Sequence, residues 1–94
     1  MPQIGFWDDY DRAKASCGDA VLLMRCGDFY EAFDEDADII IRVLGLTRTS
    51  RERKTEGRVT MAGFPHHQCN KYLMRLVKAG YRVAVSDYID DDDM

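Results

Sequence analysis

Gly18, Gly45 and Gly80 each close a run of apolar residues set three or four apart, and these three stops constrain the chain more than any other feature. Ile4, Trp7, Tyr10, Ala13 and Cys17 lead to the first stop, and Ala37, Ile40, Ile41 and Leu44 to the second. Cys69, Tyr72, Leu73, Leu76 and Val77 lead to the third. Each stripe predicts an amphipathic helix with one face on a core. Asp34 is placed to cap the second helix.

The intervals carry strand signals. Ala20 to Met24 is a short apolar run before a Gly-Asp turn, and Phe29 to Phe33 is its expected hairpin partner. Leu46 to Ser50 and Arg58 to Gly63 are two further strands, the second stopped by Pro65, with Arg51 to Gly57 a charged loop between them. Arg82 to Tyr88 is the last strand. The order α-β-β-α-β-β-α-β predicts an α/β fold: a mixed β-sheet flanked by about three helices. At 94 residues the chain is one domain, assigned to residues 1–88, with residues 89–94 as an acidic C-terminal tail. The closing Asp run and terminal Met read as a natural tail.

Charge narrows the function classes. The net charge of −4 argues against strong non-specific attraction to nucleic acid or anionic membranes. The average hides a basic stretch, with Arg48, Arg51, Arg53, Lys54 and Arg58 against Glu52 and Glu56. Cations on a loop can hold phosphates while a protruding ring probes the base stack; the plainer reading is a solvated loop. The acidic N-terminal residues do not resemble a signal peptide, and no apolar run approaches the roughly 18 residues of a membrane span. Three cysteines at wide spacing suit free thiols in a reducing compartment, so a cytoplasmic location is expected.

The stretch GDFYEAF, Gly27 to Phe33, holds a contradiction. Alternation puts Phe29, Glu31 and Phe33 on one face of a strand, with Tyr30 and Ala32 on the other. If the first face is core, Glu31 is a buried carboxylate; if the second is core, Phe29 is exposed. Such a break in packing rules marks function or strain. The structural alternative seats Glu31 at the sheet rim, paired with Arg25 on the neighbouring strand.

Other candidate chemistry is weak. His66, His67 and Cys69 have no metal-site spacing, and adjacent histidines point apart. Cys26 has no His or Asp partner fixed in sequence for nucleophilic work. Asp34, Glu35, Asp36 and Asp38 suit a helix N-terminus, where acids favour the dipole. Neither GxxxxGK[ST] nor GxGxxG occurs, so no nucleotide binding and no cofactor are expected. No enzyme constellation emerges.

The segments LLMRCGDFYEAFDEDA (Leu22 to Ala37), LGLTRT (Leu44 to Thr49) and MAGFPHHQCNKYLMRLVKAGYRVAVSDY (Met61 to Tyr88) resemble the N-terminal, mismatch-recognition domain of the MutS family of DNA mismatch repair proteins. The match runs from about Tyr10 to Tyr88. It implies a mixed sheet flanked by helices and a partner in mismatched double-stranded DNA, with other mismatch repair proteins as further partners. It also implies that Phe29 wedges against the mispaired or unpaired base from the minor groove and that Glu31 hydrogen-bonds to that base. The expected DNA-binding set is Phe29, Glu31, Asp28, Arg48, Arg51, Arg58 and Met61. The chain departs from the family at Val85 to Tyr88, where I-C-E-Q is usual, and at Phe64 and His66. The family's connector, clamp and ATPase have no counterpart in these residues, so binding is expected to be weak. A protein-interaction module with the same fold, acting on a repair or replication complex, is the alternative.

Overall fold

The computed structural model describes residues 5–87. The elements run α1 (Phe6–Cys17), β1 (Val21–Cys26), β2 (Phe29–Phe33), α2 (Asp34–Leu44), β3 (Thr49–Arg53), β4 (Gly57–Pro65), a short 3₁₀ turn (His66–Gln68), α3 (Cys69–Lys78) and β5 (Val83–Asp87). The expected α/β fold, a mixed sheet with three helices on it, is what the described residues form. Ile4, Tyr88 and the acidic tail lie outside them.

The five strands lie in the order β3-β4-β2-β1-β5. Only the β1–β5 pair is parallel; the other neighbours are antiparallel. β2 therefore sits at the centre of the sheet, hydrogen-bonded on both sides. The β1–β2 hairpin turns on Gly27 and Asp28, with Gly27 at φ 58°. That left-handed backbone is the conformation a tight hairpin turn needs and glycine adopts freely.

Both faces of the sheet are covered, in different places. On one face, Val21, Leu23, Ala32, Ala62 and Phe64 meet Ala37, Ile40 and Leu44 of α2 and Leu76 of α3. On the other, Leu22, Met24, Phe33 and Val59 meet Phe6 and Tyr10 of α1. The Phe33 ring stands edge-on to Phe6, Trp7 and Tyr10, with centroids 5.5, 4.9 and 5.1 Å away. Such edge-to-face pairs add to the burial of the rings themselves.

Four local expectations are corrected. Asp34 does not cap α2: it is the first helical residue, at φ 55°, and no side chain caps that end. Its left-handed backbone, which Asp tolerates better than most residues, makes the corner from the central strand into the helix. The third strand is Thr49–Arg53 rather than Leu46–Ser50, so Arg51, Glu52 and Arg53 belong to a strand and the charged loop shrinks to a turn at residues 54–56. Charge along an edge strand discourages pairing with other chains and hides the strand from an apolar pattern. Val77 is 55% exposed and leaves the α3 stripe, which rests on buried Leu76 with Cys69, Tyr72 and Leu73 half-buried beside it. Glu31 does not pair with Arg25: the register sets Arg25 opposite Tyr30 and Met24 opposite Glu31, so Arg25 and Glu31 are on opposite faces.

Candidate nucleic-acid interface

The contradiction in GDFYEAF resolves along the length of β2. The face carrying Phe29, Glu31 and Phe33 is covered at only one end. Phe33 is 1% exposed under α1, the Glu31 side chain is 17% exposed, and Phe29 is 45% exposed. A single strand thus runs from core to solvent over five residues, and the acid sits at the transition.

Glu31 is held from three sides. Across β4 it faces Gly63, where a Cβ would fall 2.9 Å from Glu31 Cγ and 2.6 Å from the Tyr30 carbonyl oxygen. Glycine is the only residue that lets the carboxylate side chain lie flat there. Arg51 reaches over from β3, its Nη1 3.8 Å from Glu31 Oε1, and its guanidinium carbon lies 3.9 Å from the centre of the Phe6 ring. Cys26, opposite Phe29 in the hairpin, completes the enclosure. Its thiol is pushed up to about 12, first by burial and then by the neighbouring negative charge of Glu31, with Arg51 opposing.

Phe29, Glu31, Thr49 and Gly63 line a groove of about 430 Å³, closed on one side by Gly45, Leu46 and Thr47 of the α2–β3 connection. Met61 lies on the same face, opposite both Phe33 and Thr49. Asp28 is exposed at the hairpin tip, and its carbonyl accepts a 2.7 Å hydrogen bond from the His66 amide. That bond fastens the hairpin turn to the end of β4 and so fixes the height at which Phe29 stands.

Two of the expected cations are elsewhere. Arg58 pairs in register with Glu52, on the opposite face from Arg51, and donates to the Ser50 hydroxyl at 2.8 Å. Arg48 joins Asp38 at 3.0 Å and Thr60 at 3.4 Å. The structure brings together Phe29, Glu31, Arg51 and Met61, with Asp28 at the tip, and leaves Arg48 and Arg58 on the other side of the β3–β4 edge.

Sequence reasoning missed Gly63 and Asp36. Gly63 stands in a strand interior, and a glycine there signals close approach by another group. Asp36 serves more than the α2 dipole. It is 6% exposed, pairs with Lys14 Nζ at 2.8 Å and accepts from the Leu22 amide at 3.1 Å. Lys14 also donates to the Ala20 carbonyl at 2.7 Å. This buried knot ties α1, α2 and β1 together. Tyr10 sits near it, and its hydroxyl is raised well above the usual range by burial first and then by Asp36 and Asp34. Lining the space around Tyr10 are Asp11, Asp34, Glu35 and Asp38, and Arg53 crosses it to bond Asp11 at 2.5 Å.

Among the described residues, no three His, Cys, Asp or Glu side chains are grouped to hold a metal. The His66 and His67 rings lie 6.2 Å apart at 86° and do not converge. No helix of the described residues is long and apolar enough to cross a membrane.

Fold and site together define a mixed α/β module that offers an exposed ring and a confined carboxylate on the open end of one sheet face. The chain belongs to the MutS domain I family, whose sequence profile matches residues 4–94. It is 51% identical over 82 residues to the DNA mismatch repair protein MutS of Rhodopirellula baltica, covering 87% of this chain and 9% of that protein. It is 48% identical over 85 residues to the MutS of Methanothrix thermoacetophila, covering 89% and 10% respectively. The corresponding protein of Flavobacterium johnsoniae is also 48% identical over 85 residues, covering 90% and 10%. The chain spans about a tenth of the length of the curated relatives it matches. Its family role is in DNA mismatch repair.

Proposed function

We propose that this chain is the part that probes duplex DNA for a mispaired or unpaired base, with Phe29 as the wedge and Glu31 as the group that tests the base. The single observation that carries this reading is the pairing of a 45% exposed ring with a 17% exposed carboxylate on one face of the central strand. A large ring left in water forgoes its burial energy and fits a surface that is completed by a partner.

The chemistry follows from stacking. A ring pressed into a base step must unstack it and bend the duplex, at an expense of a few kcal/mol per step. A mismatched step is already poorly stacked, so the deformation is smaller there. Glu31 accepts a hydrogen bond from a base that has lost its partner, while its charge repels the phosphates of an intact duplex. Discrimination, more than affinity, is its contribution. Arg48 and Arg58 supply backbone contacts where a bent duplex passes the β3–β4 edge. With a net charge of −4 the chain alone binds weakly. These 94 residues hold no phosphate loop, so the probing step proposed here uses no ATP.

The test is a titration of the purified chain with duplexes that differ by one mismatch, at low and at physiological salt. Tighter binding to the mismatched duplex, lost in Phe29→Ala, is the expected result. Equal binding to both duplexes at every salt concentration, or a preference that survives Phe29→Ala, overturns the reading. A protein partner would then be sought for the exposed ring.

A further inference from the structure

We infer that Arg51 is a specificity-determining residue that acts on the probe through Glu31, and that it does not hold phosphate. The inference deepens the proposed function and rests on it. The sequence places Arg51 among five cations in eleven residues, from which a backbone-gripping role is the natural expectation. The structure sets it apart from Arg48 and Arg58, which lie on the opposite face; Arg53 shares its face but is turned to the Trp7 ring at 4.7 Å and to Asp11. Arg51 lies on the α1 face of β3, opposite Val59, with its guanidinium stacked at 3.9 Å on the Phe6 ring and 5.8 Å from the Trp7 ring. The same group pairs with Glu31.

The geometry suits a guide more than an anchor. Arginine's planar head stacks on an aromatic face and still directs its donors outward. The stack on Phe6 fixes where the head lies, and the head then fixes where the Glu31 carboxylate points. At 3.8 Å the ion pair is at its outer limit, so it orients the carboxylate without consuming its capacity to accept a hydrogen bond. Gly63 beneath and Cys26 alongside leave the carboxylate few other positions. Arg51 thus sets where the Glu31 charge meets the duplex, and discrimination depends on both residues together.

The test has two arms, both on the full 94-residue chain. The first measures binding to matched and mismatched duplexes across a salt series for wild type, Arg51→Ala, Arg51→Lys, Glu31→Ala and the Arg51→Ala/Glu31→Ala pair. Arg51→Ala is expected to lower the mismatch-to-match ratio to that of Glu31→Ala, and the double variant to lose nothing more. The salt slope stays that of wild type. Arg51→Lys keeps the charge but loses the planar stack, so its ratio stays low. An even loss of affinity for both duplexes, a salt slope reduced by about one, and rescue by lysine describe a phosphate contact and overturn the inference.

The second arm needs no DNA. The rate of Cys26 alkylation is followed by peptide mapping at fixed pH. Removal of Arg51 slows it and Glu31→Gln speeds it, because the two charges act on the thiol with opposite sign. Equal rates in wild type and Arg51→Ala mean that Arg51 is not seated at the probe, and overturn the inference whatever the DNA arm gives. A wild type with no mismatch preference removes the proposed function, and the specificity role of Arg51 with it, even where the alkylation rates shift as expected. The two failures are thereby told apart.

Discussion

Gly63 faces Glu31 across the β2–β4 pairing, and the space a methyl group would need at Gly63 is filled by the Glu31 side chain. Gly63→Ala therefore has to displace both the Tyr30 carbonyl oxygen, 2.6 Å from the new Cβ, and Glu31 Cγ, 2.9 Å from it. The backbone of the central strand yields less readily than a side chain. The variant is expected to lose about 1–3 kcal/mol of stability by overpacking. In duplex titrations it should resemble Glu31→Ala, with a lower mismatch preference. Unchanged stability together with unchanged discrimination would show that Glu31 does not lie over Gly63.

Phe29→Ala should leave stability within about 0.5 kcal/mol of wild type, as for other exposed positions. The same substitution should abolish mismatch preference. Urea melts and duplex titration on one preparation check both halves. A large fall in stability would mean that the ring belongs to the core.

The knot of Lys14, Asp36 and the Leu22 amide predicts a large effect far from the probe. Asp36→Ala leaves a half-buried ammonium and a buried amide without their shared partner. Breaking a buried pair in this way costs about 3–5 kcal/mol. Chemical denaturation gives the value, and a loss below about 1 kcal/mol would place the pair among surface ion pairs. The exposed Arg12–Asp9 pair on α1 is the internal control, with little expected effect.

Leu76→Ala should cost about 2–5 kcal/mol, whereas Val77→Ala, one residue later, should be nearly neutral. The contrast tests which edge of the α3 stripe meets the sheet. Comparable losses at both positions would mean the helix is rotated.

Alkaline pH should destabilise the fold. The Cys26 thiol is raised from 9.0 to about 12, so the folded state favours its protonated form. The stability it contributes is complete below pH 9 and is lost as pH rises toward 12. Tyr10 is shifted in the same direction and adds to the loss above pH 10. Cys26→Ala should flatten the decline in thermal midpoint between pH 9 and 11 relative to wild type. An identical decline in the two proteins would remove Cys26 as a cause.

The helices were legible because each stripe ends at a glycine, and the first hairpin because its turn and alternation agree. β3 was not legible, since Thr49 to Arg53 presents no alternating apolar residues and its strand character comes only from pairing with β4. The structural alternative for Glu31, a pair with Arg25, is excluded by information already in the sequence. A two-residue turn at Gly27 and Asp28 already puts Arg25 opposite Tyr30, on the wrong face. Phe29 and Glu31 stood out because they violate a packing rule. Arg51, Gly63 and Asp36 did not, because their roles are made by contacts between residues 14 to 45 positions apart, which local pattern does not encode.

Binding surfaces are commonly carried on loops, the segments that open most often. Here the ring stands on the middle strand of five, so its mounting is among the last parts of the molecule expected to exchange amide hydrogens with solvent. The amides of Tyr30 to Phe33 should be strongly protected and those of Gly27 and Asp28 weakly so, a steep gradient within seven residues. A ring on so stiff a mounting cannot retreat from a well-stacked base step. The strain of contact is then taken up by whatever it touches, and a duplex gives way first where it is already weak.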